Sequence, residues 1–251
     1  QGDCLARYHR LIGYNTYFLT GTDEHGQKMV QTAEGQKITP QELADANSAA
    51  FQELAKFMNA SHDDFIRTTS DRHKKGAQKL WSAIAKAGDF YKGKYEGLYC
   101  VGCEAYVTEK DLVDGLCPIH KKAPEFYSEE NYFFNYSKYL PKIKKLIEGG
   151  ELKILPESRK TEMLNMIEEG IKEKRDVSFS RPSKNLSWGV PVPDDENQTM
   201  YIWCDALSNY ITALDYEHDG ELFKTFWPVD VHLIGKDILR FHAGLWVAML
   251  L

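Results

Sequence analysis

Two pairs of soft ligands stand close together in this chain. Cys100-Val-Gly-Cys103 is followed, thirteen residues on, by Cys117-Pro-Ile-His120. Each short pair lets one turn aim two ligands at a common ion, and four such ligands close a tetrahedron. Thiolates with an imidazole suit zinc, Zn(2+). A closed set leaves no open position, so the expected role is structural, with one ion per chain. Gly97, Gly102 and Gly115 fit the tight turns of such a knuckle. The competing readings are four unrelated residues or a transient disulfide. Zinc knuckles occur in many proteins, so the set says little about function by itself. A second cluster is Thr20-Gly-Thr-Asp-Glu-His-Gly26, polar side chains flanked by glycines. It follows an aromatic and β-branched run, Tyr14–Leu19, that predicts a buried strand. In an open α/β sheet the C-terminal end of a strand is where ligands bind. The plain alternative is a surface loop.

The elements that must position these groups are legible in outline. Thr39-Pro-Gln-Glu42 opens a helix with a cap, a first-turn proline and a capping box. Leu43, Ala50, Leu54, Phe57 and Met58 continue it as an apolar stripe, read as core. A second helix is expected from Ser70 to Ala87, stopping at Gly88, with Leu80, Trp81, Ile84 and Ala87 buried. The charge run Arg67, Arg72, His73, Lys74, Lys75 and Lys79 reads first as a solvated face, with phosphate contact as the lesser alternative. From Tyr91 to about Arg181 the character changes to a cysteine-bearing stretch, aromatic strand-like segments and lysine-rich helices. Strand–helix alternation then resumes. Met200–Trp203 and Val231–Ile234 are expected strands. Cys204–Leu214 and a run from Ile238 to the end are expected helices. Alternation on both sides predicts an α/β fold, a doubly wound parallel Rossmann-type sheet, with the stretch between, which carries the zinc knuckle, read as an insertion or a small second domain. The expected division is residues 1–92 and 184–251 for the two parts of the sheet domain. The insertion takes 93–183, with the knuckle at 97–121.

Composition narrows the class. The chain has 251 residues, 43% hydrophobic and 27% charged, ordinary for a globular protein. No run approaches the length of a membrane helix. A net charge of −6 argues against binding nucleic acid over the whole surface, though not against a local basic patch. Five cysteines, three of them clustered, fit a metal site plus two free thiols in a reducing compartment, hence a cytoplasmic location. Gln1–Arg10 reads as mid-helix without a start signal, and Gly244–Leu251 as an apolar run without a stop, as in a fragment.

Several motifs in one order resemble class I aminoacyl-tRNA synthetases of the methionyl type. They are Phe18–Gly26 (FLTGTDEHG), Gly97–Cys103 with Glu109 and Gly115–His120, Ser180-Arg-Pro182, Trp188–Pro193 (WGVPVP), Tyr201–Ala206 (YIWCDA) and His232–Ile238 (HLIGKDI). The resemblance covers essentially the whole chain. It implies activation of L-methionine by ATP, with Mg(2+), to methionyl-adenylate, followed by transfer to tRNA(Met). Such a reaction needs positioning and charge neutralisation more than a general base.

The resemblance also implies roles for single residues. Asp23 holds the substrate ammonium, as a carboxylate suits a cation, whereas without the family it is a helix cap. Arg181 pairs with Asp23 or with reacting carboxylate and phosphate oxygens, or else is a surface arginine. Trp203, Tyr210, Ile238 and His242 form the side-chain pocket. Aromatic contacts suit a polarizable thioether, and Ile238 and His242, four apart, share a helix face. A core histidine is the alternative for His242. Gly235, Lys236 and Asp237 contact the nucleotide, with Asp237 also capping the last helix. Leu207 stands where the family often has proline, which alters a pocket wall. The family's H-x-G-H and K-M-S-K-S signatures are expected upstream of Gln1 and downstream of Leu251, so the chain by itself is expected to bind zinc without forming adenylate. Two rivals stay open. One is a synthetase for leucine, isoleucine, valine or cysteine, disfavoured by the short insertion and the closed ligand set. The other is a non-catalytic tRNA- or protein-binding module of the same fold.

Overall fold

The structure is a computed structural model, and it describes residues 1–103 and 105–251. The chain begins with α1 (Gly2–Leu11), β1 (Leu19–Thr22), α2 (Gln27–Gln36), α3 (Pro40–Phe57), β2 (Asp64–Arg67) and α4 (Asp71–Lys86). β1 and β2 pair in parallel, Leu19 opposite Asp64 through Thr22 opposite Arg67. This is the parallel ladder among the described residues, so the doubly wound sheet is represented by two paired strands. The strand expected at Tyr14–Leu19 starts only at Leu19. The Asp63 carboxylate takes the Phe18 amide at 2.7 Å, and the ladder begins one residue later. Thr20–Thr22 therefore belong to the strand, and the loop after it starts at Asp23.

Thr39 caps α3 as expected. Its hydroxyl accepts from the Glu42 amide, and Glu42 accepts from the Thr39 amide at 2.8 Å. The stripe along α3 is core only at its start. Leu43 and Ala44 are buried, whereas Leu54, Phe57 and Met58 are 49%, 88% and 69% exposed and Ala50 is exposed too. α4 buries His73, Gly76, Ala77, Leu80, Trp81 and Ile84, one face at helical spacing, and stops at Gly88. Ala87, in register with that face, is the C-cap beyond the last turn and is exposed.

Next come β3 (Phe90–Cys100), β4 (Ala105–Val107), β5 (Glu125–Phe134), α5 (Tyr136–Gly149), α6 (Glu157–Glu173) and β6 (Val177–Ser178). The strands form an antiparallel sheet in the order β4-β3-β5-β6. A smaller antiparallel sheet follows, from β7 (Ser180–Pro182), β8 (Pro191–Val192) and β9 (Asp195–Met200). β9 ends at Met200, Tyr201 precedes the helix, and α7 spans Ile202–Thr212. The strand expected at Met200–Trp203 is thus a strand end and a helix start, and Trp203 sits in the first turn of α7.

After α8 (Glu221–Phe226), residues 231–235 run without ladder partners, so the strand expected at Val231–Ile234 is absent. The terminal run is likewise no regular α-helix. A 3₁₀ turn at Lys236–Ile238 leads to wide π turns over Phe241–Trp246, then α9 (Val247–Leu250). No helix among the described residues is long and apolar enough to cross a membrane.

The core joins these parts. Trp81 of α4 stacks on Phe90 at 4.3 Å, and Phe179 and Phe134 pack at 5.1 Å beside them. The base of the long antiparallel sheet is therefore welded to the helices rather than hung on a linker. α4 and α7 approach closely because residue 76 is glycine: a Cβ there would lie 2.5 Å from the Thr212 methyl.

Candidate active site and metal centre

Behind β1 lies a cleft of about 370 Å³ lined by Asp23, His25, Lys28, Met29, Thr32, Leu43, Asn47, Ile202, Trp203 and Ala206. It brings Asp23, from the end of β1, together with Trp203, from the first turn of α7. Asp23 is crowded by protein yet opens to water in the cleft. Desolvation and the Asp205 carboxylate push its pKa up, to about 6; water reaching the carboxylate tempers the desolvation share.

The loop 23–26 is held from several sides. The Glu24 carboxylate accepts from Thr22 at 2.7 Å, from Arg67 at 2.8 Å and from the Thr69 hydroxyl. The Trp188 indole donates to the Glu24 carbonyl at 2.7 Å, and the Gly26 amide donates to the Trp188 carbonyl. His25 turns inward, and its Nδ1 lies 2.7 Å from Asp205 Oδ2. His73 Nε2 lies 2.7 Å from Asp205 Oδ1, and its Nδ1 is 2.9 Å from Thr212 Oγ1. All three members of this His25–Asp205–His73 set are buried. Burial alone would raise the Asp205 pKa, but the two histidines outweigh it and hold the carboxyl at about 2.

The other expected pocket residues stand next to this cleft. The Tyr210 hydroxyl is 2.7 Å from His242 Nε2, and His242 Nδ1 reaches the Ile238 carbonyl at 3.0 Å. Trp203 stacks on Phe241 at 3.8 Å and meets His242 edge-on. His232 packs on Tyr210 at 4.3 Å. Burial, and after it the Asp23 charge, raise the Tyr210 pKa, which ties Tyr210 electrostatically to the cleft. Burial lowers His242, and burial with His242 nearby lowers His232 to about 4, so both imidazoles are neutral at physiological pH. The indole Nε1 of Trp203 and His232 Nε2 are buried without a hydrogen-bond partner.

Gly235, Lys236 and Asp237 lie exposed at the 3₁₀ turn. Asp237 does not cap it. Gly235 occupies the cap position and no side chain bonds there. Leu207 is buried in the core behind α7 rather than lining the cleft.

Arg181 is not brought to Asp23. Buried in β7, its guanidinium donates to the Ser180 carbonyl at 2.7 Å and to Ser178, and lies over the rings of Tyr106, Tyr201 and Tyr99 at 4.5, 5.0 and 5.4 Å. It lines a small cavity with Gln27, Tyr127, Glu129 and Asn185.

The knuckle is gathered as its spacing predicts. The donor atoms of Cys100, Cys103, Cys117 and His120 lie within 4.8 Å of one another. Cys103 Sγ is 3.6 Å from Cys117 Sγ and 3.3 Å from His120 Nδ1. A tetrahedron with zinc–sulfur bonds of about 2.3 Å has edges of roughly 3.8 Å, so the donor set fits that ion. No pair is a disulfide. Gly102 lets the turn close, since a Cβ there would strike the His120 ring at 2.4 Å.

Two buried residues of the site, His73 and Asp205, carry no local sequence signal of a role. His73 was grouped with a solvated charge run, although it lies four and seven residues before the buried Ala77 and Leu80 and so shares their face. Asp205 lies within Tyr201–Ala206, where spacing alone assigns it no role.

The family described as tRNA synthetases class I (M) matches residues 1–123 and 103–251, and the chain belongs to it. Over 251 residues it is 50% identical to a methionine--tRNA ligase of Clostridium perfringens, covering 99% of this chain and 38% of that protein. It is 46% identical to the methionine--tRNA ligase of Streptomyces coelicolor, covering 100% of this chain and 47% of that one. Mycobacterium tuberculosis methionyl-tRNA synthetase bound by methionyl-adenylate matches with a TM-score of 0.93 at 40% identity, over 99% of this chain and 49% of that chain. The free form of that enzyme matches at 0.83. The chain spans half or less of the length of these relatives.

Proposed function

We propose that the protein carrying this chain activates L-methionine with ATP, as its magnesium complex, and transfers the methionyl group to tRNA(Met). The observation that carries this reading is a cleft in which one carboxylate, Asp23, and one indole, Trp203, share the lining. Asp23 takes the amino acid's ammonium group. Trp203 and Tyr210, with Ile238 beside them, take the thioether, which gains from aromatic contact. His232 and His242 add polarity without charge, which suits an uncharged sulfur.

A carboxylate oxygen of methionine attacks the α-phosphorus of ATP, and the bond to pyrophosphate breaks. A ribose hydroxyl of tRNA then attacks the acyl carbon and AMP leaves. Gly235, Lys236 and Asp237 are assigned to the nucleotide, being exposed on the segment that follows His232. Arg181, which lines a small cavity with Gln27, is assigned to the reacting carboxylate and phosphate oxygens, with its guanidinium held in a tyrosine cage. The names of the relatives, and the adenylate in the structure matched at 0.93, support the assignment.

Cys100, Cys103, Cys117 and His120 would hold one Zn(2+), whose part is to tie two turns together. Residues 93–183 are read as a connective insertion between the two parts of the sheet domain, 1–92 and 184–251. The antiparallel sheet β4-β3-β5-β6, with α5 and α6 between its last two strands, supports that division. A cytoplasmic location would keep the unpaired cysteines reduced. Pyrophosphate exchange by the full-length protein, run with each amino acid, tests the function. Exchange with methionine is expected, and exchange driven by another amino acid would refute the specificity.

A further inference from the structure

The floor of the cleft carries one acid more than an ammonium site needs. Asp205 sits on α7 directly before Ala206, which lines the cleft. A second unshared carboxylate there would repel the ionisation of Asp23 and compete for the cation. Two imidazoles reach Asp205, one to each oxygen, both at 2.7 Å: His25 from the Asp23 loop and His73 from α4. Each ring presents an N–H, the positive end of its dipole, to the acid. A mechanical tie between the loop and α7 needs only His25. His73 comes from a different helix, and the close approach at Gly76 allows it to reach.

We propose that His25 and His73 are positioning residues that offset the Asp205 charge, so that Asp23 alone presents a free negative charge to the amino-acid cleft. This rests on Asp23 being the ammonium partner. The groups that face Asp23 are Glu24 and His25 on its own loop, His73 on α4, Asp205 and Tyr210 on α7, and Lys28 on α2. Among them Asp205 and Glu24 oppose its ionisation, while His73 and His25 favour it.

The test is the pH dependence of L-methionine binding to the full-length enzyme, by calorimetry, beside a deaminated analogue that keeps the thioether and carboxylate. Asp23→Asn should cost methionine at least tenfold in affinity and spare the analogue. His73→Asn should move the acid limb of methionine binding up by about one pH unit, and Asp205→Asn should move it down by a similar amount. The analogue should show neither shift. Should His73→Asn fail to fold, His25→Asn carries the same sign. If Asp23→Asn behaves as expected but the limbs stay fixed, or both move the same way, the histidines are merely structural and the proposal falls alone. If Asp23→Asn binds methionine like the parent, the ammonium reading fails and takes the proposal with it.

Discussion

In the knuckle, four donors come from residues 100–120 of one segment, and two turns suffice to gather them. In the cleft, Asp23 and His25 follow β1, His73 rides on α4, and Trp203 and Asp205 ride on α7. Only the packed core brings those together. One centre is local, four donors that would close on an ion; the other is assembled from distant elements and rests on buried hydrogen bonds. The two should therefore fail independently, and in different ways.

Breaking the knuckle should give the larger effect. Cys117→Ser is expected to lose the metal, on the order of 10 kcal/mol of local binding energy, and to disorder residues 97–121. Elemental analysis should fall from about one zinc per chain toward none. The core around Trp81 should stay folded by near-ultraviolet circular dichroism, and collapse of that core would mean the two centres are not independent.

Breaking the cleft's buried set comes next. Asp205→Ala strands two buried histidines and should cost the whole domain roughly 3–5 kcal/mol, read as a lower denaturant midpoint with zinc retained. The acid behaviour has a definite sign. Asp205 has a folded pKa of about 2 against an ordinary 3.8, so its contribution is fully present above about pH 4 and is lost as the pH falls toward 2. Asp205→Ala should flatten the stability profile in that window; an unchanged slope would show that Asp205 does not titrate as described. The smallest effect belongs to the cap of α3, one turn before Leu43 of the cleft lining. Thr39→Ala removes the cap of α3 and should cost about 1 kcal/mol, with methionine affinity unchanged.

The same contrast explains what the sequence disclosed. The knuckle was legible because its ligands are neighbours in the chain. The cap at Thr39 and the stop at Gly88 were legible for the same reason. Asp23, Trp203 and the Tyr210–His242 pair were reached through a family resemblance, since nothing local distinguishes a pocket tryptophan from a core one. The sequence reading placed Trp203 in a strand, because aromatic and β-branched residues continue past Met200 although the ladder stops there. Of the two partners the resemblance offers Arg181, Asp23 is not met: the guanidinium bonds Ser178 and Ser180 instead, because motif order says nothing about which face of a two-residue-period strand a side chain takes. It left Phe57 and Met58 in the core, because helical periodicity marks an apolar face without showing what covers it. His73 shows the converse: periodicity held the answer, and a charged neighbourhood obscured it.

The most direct measurement is a crystal structure of the full-length protein with L-methionine bound. The account predicts the ammonium group within hydrogen-bond distance of Asp23, with the sulfur against Trp203 and Tyr210. Methionine held elsewhere, or bound with its ammonium turned away from Asp23, would contradict it.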